Sequence, residues 1–225
     1  MTAAIETKGA LLDEFARIAK ALAAPRRLEL LDLLAQGERS VDELAKVTAM
    51  SSANTSAHLQ VLRNAQLVET RRAGTRVHYR LAGDDIAELL DGLRRVAANH
   101  VAVVDGLARD YFEARDELEP ITSRELRARV RAGDIVVVDV RPPEEYAAGH
   151  IPGAISIPLD DLEERLDELD PDTEVVAYCR NRYCVLAPAA LERLHRHGLS
   201  ARRLDEGLPE WRAAGLPVTA SAVAP

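Results

Sequence analysis

Two cysteines, Cys179 and Cys184, stand with four residues between them in a chain of 225. Cys179 follows Glu174-Val-Val-Ala-Tyr178, whose continuous β-branched and aromatic character reads as a strand buried on both faces. Arg180-Asn-Arg-Tyr-Cys184 must then turn, because Val185-Leu-Ala-Pro-Ala-Ala-Leu begins a helix. Strand end, short loop and helix N-terminus form an anion cradle, since loop amides and the helix dipole point inward. A thiol there, beside Arg180 and Arg182, is expected to have a depressed pKa and to be largely thiolate near neutrality. Such a sulfur can attack a sulfane sulfur, and the amides can hold the anionic persulfide that results. An isolated cysteine is more often a small buried apolar residue; the strand-end position and the two arginines favour the reactive reading of Cys179. Cys184 reads first as a small residue opening the helix, and second as a thiol that attacks a Cys179 persulfide and closes the loop.

Competing chemistries fail on spacing. A cysteine phosphatase needs Cys-x5-Arg, and Val185 occupies that arginine's place. A dithiol oxidoreductase needs Cys-x-x-Cys, a shorter gap than this one. Zinc would need four ligands, and His195 and His197 are too few. No metal or other cofactor is expected.

The elements around Cys179 alternate. Ser123 starts a short helix ended by Gly133, Ile135-Val-Val-Val-Asp139 is a second buried strand, and Ala154-Ile-Ser-Ile157 and Ala201-Arg-Arg-Leu204 are two more. Helical stretches at 159–169 and 185–197 lie between strands, which argues a parallel α/β sheet with helices on both faces.

The first half has another grammar. Leu11, Phe15, Ile18, Ala19 and Leu22 recur at helical spacing, and Pro25 and Gly37 bracket a second helix. Ser40-Val-Asp-Glu43 is a capping box opening a short helix expected to bury Leu44 and Val47. After a break at Thr48–Ser52, a helix over 52–65 carries Thr55, Leu59 and Leu62 on one face. Ala53, Ala57, Gln60 and Asn64 lie opposite, flanked by Asn54 and Ser56. Two short helices across a tight break are a helix-turn-helix, and small residues beside Asn and Gln suit close approach to adenine edges. Leu67 to Leu81 alternates about Ala73-Gly74 as a hairpin, with Arg71, Arg72 and Arg76 near its tip, where a wing meets the DNA backbone. From Asp84 to Glu113 one long helix is expected, and its apolar stripe, like that of the N-terminal helix, calls for a homodimer contact.

Composition agrees with two soluble domains. Hydrophobic residues are 47% and charged residues 29%, against disorder, and no apolar run approaches the roughly 20 residues of a membrane span. Two cysteines and a start unlike a secretory signal predict a cytoplasmic protein. The net charge of −8 lies wholly in residues 116–225, whereas 1–115 is balanced. Lys46 to Leu81 holds Lys46, Arg63, Arg71, Arg72, Arg76 and Arg80 against Glu69 alone, a local patch able to dock phosphates. Asp116-Glu-Leu-Glu-Pro120 is expected to be a short acidic linker.

The order helix, helix, helix, recognition helix, wing, dimer helix, with Ser56-x-His58-Leu-x-x-Leu-x-x-Ala65-x-Leu67-Val68, resembles the ArsR/SmtB family of bacterial repressors. The resemblance implies a homodimer that binds an inverted repeat and leaves it when an inducer arrives. On the matching positions it places Asn54, Ser56, His58, Gln60, Arg71, Arg72 and Arg76 at double-stranded DNA. Metal-sensing relatives have paired thiolates where this chain has Ser40-Val41-Asp42; Asp91 and His100, the remaining pair, fall about 180° apart on a helix. Direct metal sensing is therefore not expected.

Asp139-Val-Arg141, Glu145-Tyr146, Gly149-His-Ile-Pro-Gly-Ala154, Ile157-Pro158, Tyr178-Cys179-Arg180 and Gly207-Leu-x-x-Trp211 together resemble the rhodanese family. That resemblance makes Cys179 the persulfide-forming nucleophile. Arg180, Asn181, Arg182, Tyr183 and Cys184 then line the substrate loop, and Asp139, Arg141 and His150 brace the fold. Asn181-Arg182 and Glu206 depart from the usual small residues, leaving the donor, thiosulfate or a persulfide, open.

The expectation is a two-domain regulator: an α+β winged helix-turn-helix over 1–115 and an α/β rhodanese-like parallel sheet over 120–220. It would repress transcription and sense or transfer sulfane sulfur at Cys179. The alternatives are a sulfurtransferase whose winged half only dimerises, and a rhodanese domain serving as an inert interaction module.

Overall fold

The computed structural model describes residues 2–74, 76–112 and 120–221. They fall into two compact units, 1–90 and 91–225. The division lies inside a helix, whereas the expected linker at 116–120 lies, but for Pro120, outside the described residues.

In the first unit α1 (Thr2–Leu22), α2 (Pro25–Leu34), β1 (Arg39–Ser40), α3 (Val41–Thr48) and α4 (Ser52–Asn64) precede the hairpin of β2 (Val68–Ala73) and β3 (Arg76–Leu81). The sheet order is β1-β3-β2, all antiparallel, with Ala73 opposite Arg76 and Gly74 at φ 60° in the tip, a conformation glycine adopts without strain. Strand β1 is too short to be legible as a pattern. The core gathers Leu30, Leu31 and Leu34 of α2, Leu44, Leu59 and Leu62, and Tyr79 of the wing.

The capping box forms as expected: the Ser40 hydroxyl accepts from the Glu43 N–H at 3.3 Å, and the Glu43 carboxylate accepts from the Ser40 N–H at 2.6 Å. The helix it opens buries Leu44, Ala45 and Thr48 but leaves Val47 40% exposed, because the buried face is centred one residue away from the expected one. Ser40→Ala is expected to lower the unit's stability by about 1 kcal/mol, read from urea unfolding of the full chain; no change would mean that the cap does not hold this helix.

Two carboxylates here sit below their usual range. The Arg71 guanidinium bonded to Glu38 holds it down. Burial works against the Glu43 carboxylate, but the Ser40 N–H and hydroxyl outweigh it. Groups depressed by folding add stability above their unfolded pKa and lose it as pH falls through the folded one. Acidification from the ordinary value of 4.5 downwards is thus expected to lower the unfolding midpoint of this unit. A midpoint flat across that window would contradict these pairings.

The expected single helix over 84–113 is instead α5 (Asp84–His100) and α6 (Ala102–Phe112), interrupted at Val101. Asn99, His100 and β-branched Val101 are weak helix formers in sequence, and nothing on an exposed surface overrides them. Helix α5 buries Ile86 and Leu90, while Leu89, Leu93 and Val96 are exposed.

The second unit continues with α7 (Ser123–Ala132), β4 (Ile135–Asp139), α8 (Pro143–Ala148), β5 (Ile155–Ser156), a 3-10 helix (Leu159–Glu168), β6 (Glu174–Tyr178), α9 (Leu186–Arg196), β7 (Ala201–Arg203) and α10 (Leu208–Ala213). The four strands are parallel in the order β5-β4-β6-β7. Alternation along β4 and β6 sends Val138, Val175, Ala177 and Cys179 to a core shared with α9 and the 3-10 helix. Ile135, Val137, Val176 and Tyr178 face the other core, with Leu126, Leu208 and Trp211. This is the expected sheet covered on both faces. Helix α7 starts at Ser123 and ends before Gly133 as expected, and Thr122 caps it, accepting from the Glu125 N–H at 3.3 Å. The stretch at 159–168 winds tighter than an α-helix, with Leu159, Leu162 and Leu166 turned to the core.

Candidate functional site

Cys179 leaves the carboxyl end of β6 with its side chain in the core beneath α9, only 3% exposed. The loop then folds back on itself. Asn181 accepts the Tyr183 N–H on its side-chain oxygen at 2.9 Å and the Cys184 N–H on its carbonyl at 3.0 Å. The turn brings Cys184 to a Cα–Cα separation of 6.2 Å from Cys179, and the two are joined as a disulfide.

This corrects the sequence expectation of an ionised, reachable Cys179 in three respects. Neither cysteine is free. Arg180 turns to the buried carboxylate of Glu145, at 3.1 Å from Nε and 2.7 Å from Nη2, and Arg182 lies 3.4 Å from Asp205, so both cations already face acids. The Tyr183 and Cys184 amides bond to Asn181 and do not point into an open cradle. Cys184, read first as a small residue opening the helix, is instead half of the bond. Asn181 and Tyr183 are half-buried at the turn.

Behind the loop stands a bracing network. Arg141 and Asp139, both fully buried, pair at 2.9 Å (Nε to Oδ1) and 2.5 Å (Nη2 to Oδ2), and Arg141 also donates to the Gly149 carbonyl at 2.8 Å. Burial opposes the Arg141 charge, but the Asp139 carboxylate keeps its pKa above the usual value. The Tyr178 hydroxyl donates to Asp139 and accepts from the Ile151 N–H. Burial first, then Asp139, pushes that phenol far above its usual pKa, so it serves as a neutral donor. His150 stacks on Tyr146 with ring centroids 3.7 Å apart and reaches the Tyr146 carbonyl through Nδ1 at 2.8 Å.

Helices α8 and α10, not expected from the sequence, hold the loop from behind. Helix α8 carries Glu145. At the start of α10 the Leu208 N–H donates to the Cys179 carbonyl at 3.4 Å. A Cβ on Gly207 would stand 2.3 Å from the Arg180 carbonyl carbon and oxygen and 2.4 Å from the Asn181 nitrogen. Only glycine admits this approach, and the glycine is the one that opens the Gly207-Leu-x-x-Trp211 pattern. Gly207→Ala is expected to displace the loop, lowering stability by about 1–3 kcal/mol and slowing Cys179 modification by persulfide donors, measured by unfolding and by mass. Unchanged stability and rate would mean that the loop is not held from this side.

On the first unit, α4 is capped by Ser51, whose hydroxyl accepts from the Asn54 N–H at 3.2 Å. Thr55, Leu59 and Leu62 are buried, so Ala53, Asn54, Ala57, Gln60 and Asn64 are exposed, while Ser56 and His58 are half-buried at the edge. The Gln60 amide donates to the Tyr79 hydroxyl at 3.4 Å. Arg72 and Arg76 are exposed near the wing tip, but Arg71 is drawn to Glu38, with Nε 3.0 Å from Oε1. A phosphate would have to displace Glu38 to use it. Asp91 bonds to Arg95 and His100 is exposed; no metal-ligating group of three occurs among the described residues. Nor is any helix among them long and apolar enough to cross a membrane.

Two family models match the chain: a bacterial regulatory protein of the arsR family over residues 24–70 and a rhodanese-like domain over 122–214. The HTH-type transcriptional regulator Rv0324 of Mycobacterium tuberculosis is 51% identical over 95% of this chain and 93% of its own length. A sulfurtransferase of Allochromatium vinosum is 33% identical over 39% of this chain and 80% of its own. Among solved structures, the homodimeric winged helix-turn-helix DNA-binding domain of a possible ArsR-family regulator from Mycobacterium bovis is 53% identical, covers 42% of this chain and 87% of that one, and has a TM-score of 0.40.

Proposed function

We propose, for a chain that belongs to the ArsR family of transcriptional regulators and carries a rhodanese-like domain, that sulfur loading of Cys179 governs its grip on operator DNA. The likeness to a named regulator over 95% of the chain supports the regulatory part of this reading, because it spans both halves at once, and the rhodanese-like domain around Cys179 supports the sulfur part. Exposed Asn54 and Gln60 suit adenine edges, with Ser56 and His58 beside them, and Arg72 and Arg76 suit phosphates. Arg71 joins them only by leaving Glu38.

A second copy of the chain covers the exposed Leu11, Leu12 and Phe15 of α1 and Leu89, Leu93 and Val96 of α5, and the pair reads an inverted repeat. In the reduced form Cys179 takes a sulfane sulfur from a small donor, thiosulfate or a persulfide, within the loop 180–184. Repression by the unloaded protein in the cytoplasm follows from this reading, with loading as the inducing event. A coupling of about 1–3 kcal/mol, or about 5–150-fold in affinity, is enough for that.

Selection from a pool of random duplexes tests the DNA half. The reduced chain is expected to enrich an inverted repeat, and Asn54→Ala or Gln60→Ala to weaken binding by about 1–3 kcal/mol while relaxing preference at single base pairs. No enriched sequence, together with thiocyanate formation at Cys179, would instead select a sulfurtransferase whose winged half only dimerises.

A further inference from the structure

We infer that Cys184 is a second catalytic residue, a resolving nucleophile that expels the captured sulfur as sulfide and closes the loop as the Cys179–Cys184 disulfide. This rests on the reading of Cys179 as the sulfane-sulfur acceptor and adds the fate of that sulfur.

Three observations carry it. The Asn181 turn, with its side-chain oxygen on the Tyr183 N–H and its carbonyl on the Cys184 N–H, folds the second cysteine back toward the first. The resulting Cα–Cα separation of 6.2 Å lies within the range of about 4.4–6.8 Å that disulfides occupy. The first cysteine's flank is anchored independently, by Glu145 on Arg180, by Gly207 against the loop backbone and by the Leu208 N–H on the Cys179 carbonyl. The backbones of both cysteines are thus held within disulfide reach by contacts that do not involve sulfur.

The chemistry needs no oxidant beyond the donor. A low-molecular-weight persulfide, R–S–SH, passes its outer sulfur to the Cys179 thiolate, leaving R–S⁻ and Cys179–S–SH. The Cys184 thiolate, having given its proton to solvent, attacks the inner sulfur of that persulfide. The bond to the terminal sulfur breaks, HS⁻ departs and takes up a proton, and the disulfide remains. Two thiols are oxidised and one sulfane sulfur is reduced to sulfide, so atoms and electrons balance. The product state is self-limiting: with Cys179 at 3% exposure and bonded, a second donor has no free thiol to reach. The domain then records one exposure to persulfide until a cellular thiol reduces it.

The test treats the fully reduced full-length chain with glutathione persulfide and reads intact mass and released sulfide. Wild type is expected to end about 2 Da below the reduced mass with about one sulfide released per chain, and Cys184→Ser and Cys184→Ala to stop about 32 Da above it with none. A stable gain of about 32 Da on wild type, or a disulfide formed without sulfide, overturns the resolving role while leaving Cys179 as acceptor. No mass gain on either Cys184 variant shows that Cys179 takes no sulfane sulfur, and then the underlying reading fails as well.

Discussion

Cys179→Ser is expected to abolish sulfur uptake, with thiocyanate formed from cyanide and a sulfane-sulfur donor falling on the order of 10³-fold or more in the presence of a thiol reductant. A serine hydroxyl ionises far above neutrality and its oxygen cannot carry a sulfane sulfur, so no neighbouring group can compensate. The reductant matters because the described state has both cysteines bonded, and only the opened loop offers a nucleophile. The fold should survive, since the Asp139–Arg141 network and the Gly207 contact do not depend on the disulfide. Substantial residual turnover in a folded Cys179→Ser chain would place the chemistry elsewhere.

Arg141→Leu carries the largest expected stability effect. It leaves the Asp139 carboxylate fully buried with the Tyr178 hydroxyl and the Arg141 N–H but no cation, and it removes the donor that holds the Gly149 carbonyl. Breaking a buried pair from one side costs about 3–5 kcal/mol, because the remaining charge is stranded. Urea unfolding of the second unit should register that loss, and adding Asp139→Asn should recover part of it by removing the stranded charge. A loss under about 1 kcal/mol would show that the pair is solvated and does not brace the loop.

Much of this architecture was legible because burial imposes period and composition. The run Ile135–Asp139 and the strand before Cys179 are β-branched on both faces, and both form as read. Ser40-x-x-Glu43 carries its cap in its own spacing, and the Thr55, Leu59 and Leu62 stripe fixed which face of α4 turns outward. Short elements escaped. Strand β1 has two residues, and the six-residue helices α8 and α10, though each opens with a proline and first-turn acids, are too short to show an apolar period. The apolar stripe predicts one helix over 84–113 and the structure has two, because a stripe reports which face would be covered, not whether the backbone continues through Asn99-His100-Val101.

The candidate site was legible in its residues but not in its electrostatics. Arg180 and Arg182 read as cations free to lower a thiol pKa, because nothing in the local sequence reveals that Glu145, thirty-five positions earlier, and Asp205 lie against them. The two cysteines were visible, but their meeting depends on Asn181 holding a turn, a side-chain-to-backbone contact that spacing alone does not report. Arg71 is the parallel case on the wing: its partner Glu38 comes from the segment before α3.

Linkage between sulfur and DNA is tested most directly on one sample carrying both readouts. Reduced full-length protein is treated with a persulfide donor, the chemical state of Cys179 is read by intact mass, and affinity for the selected inverted repeat is measured on the same material. The account predicts that affinity shifts by about 5–150-fold as Cys179 is modified, and returns when a thiol reductant restores it. Identical affinity before and after, with the mass showing Cys179 fully converted, would contradict it.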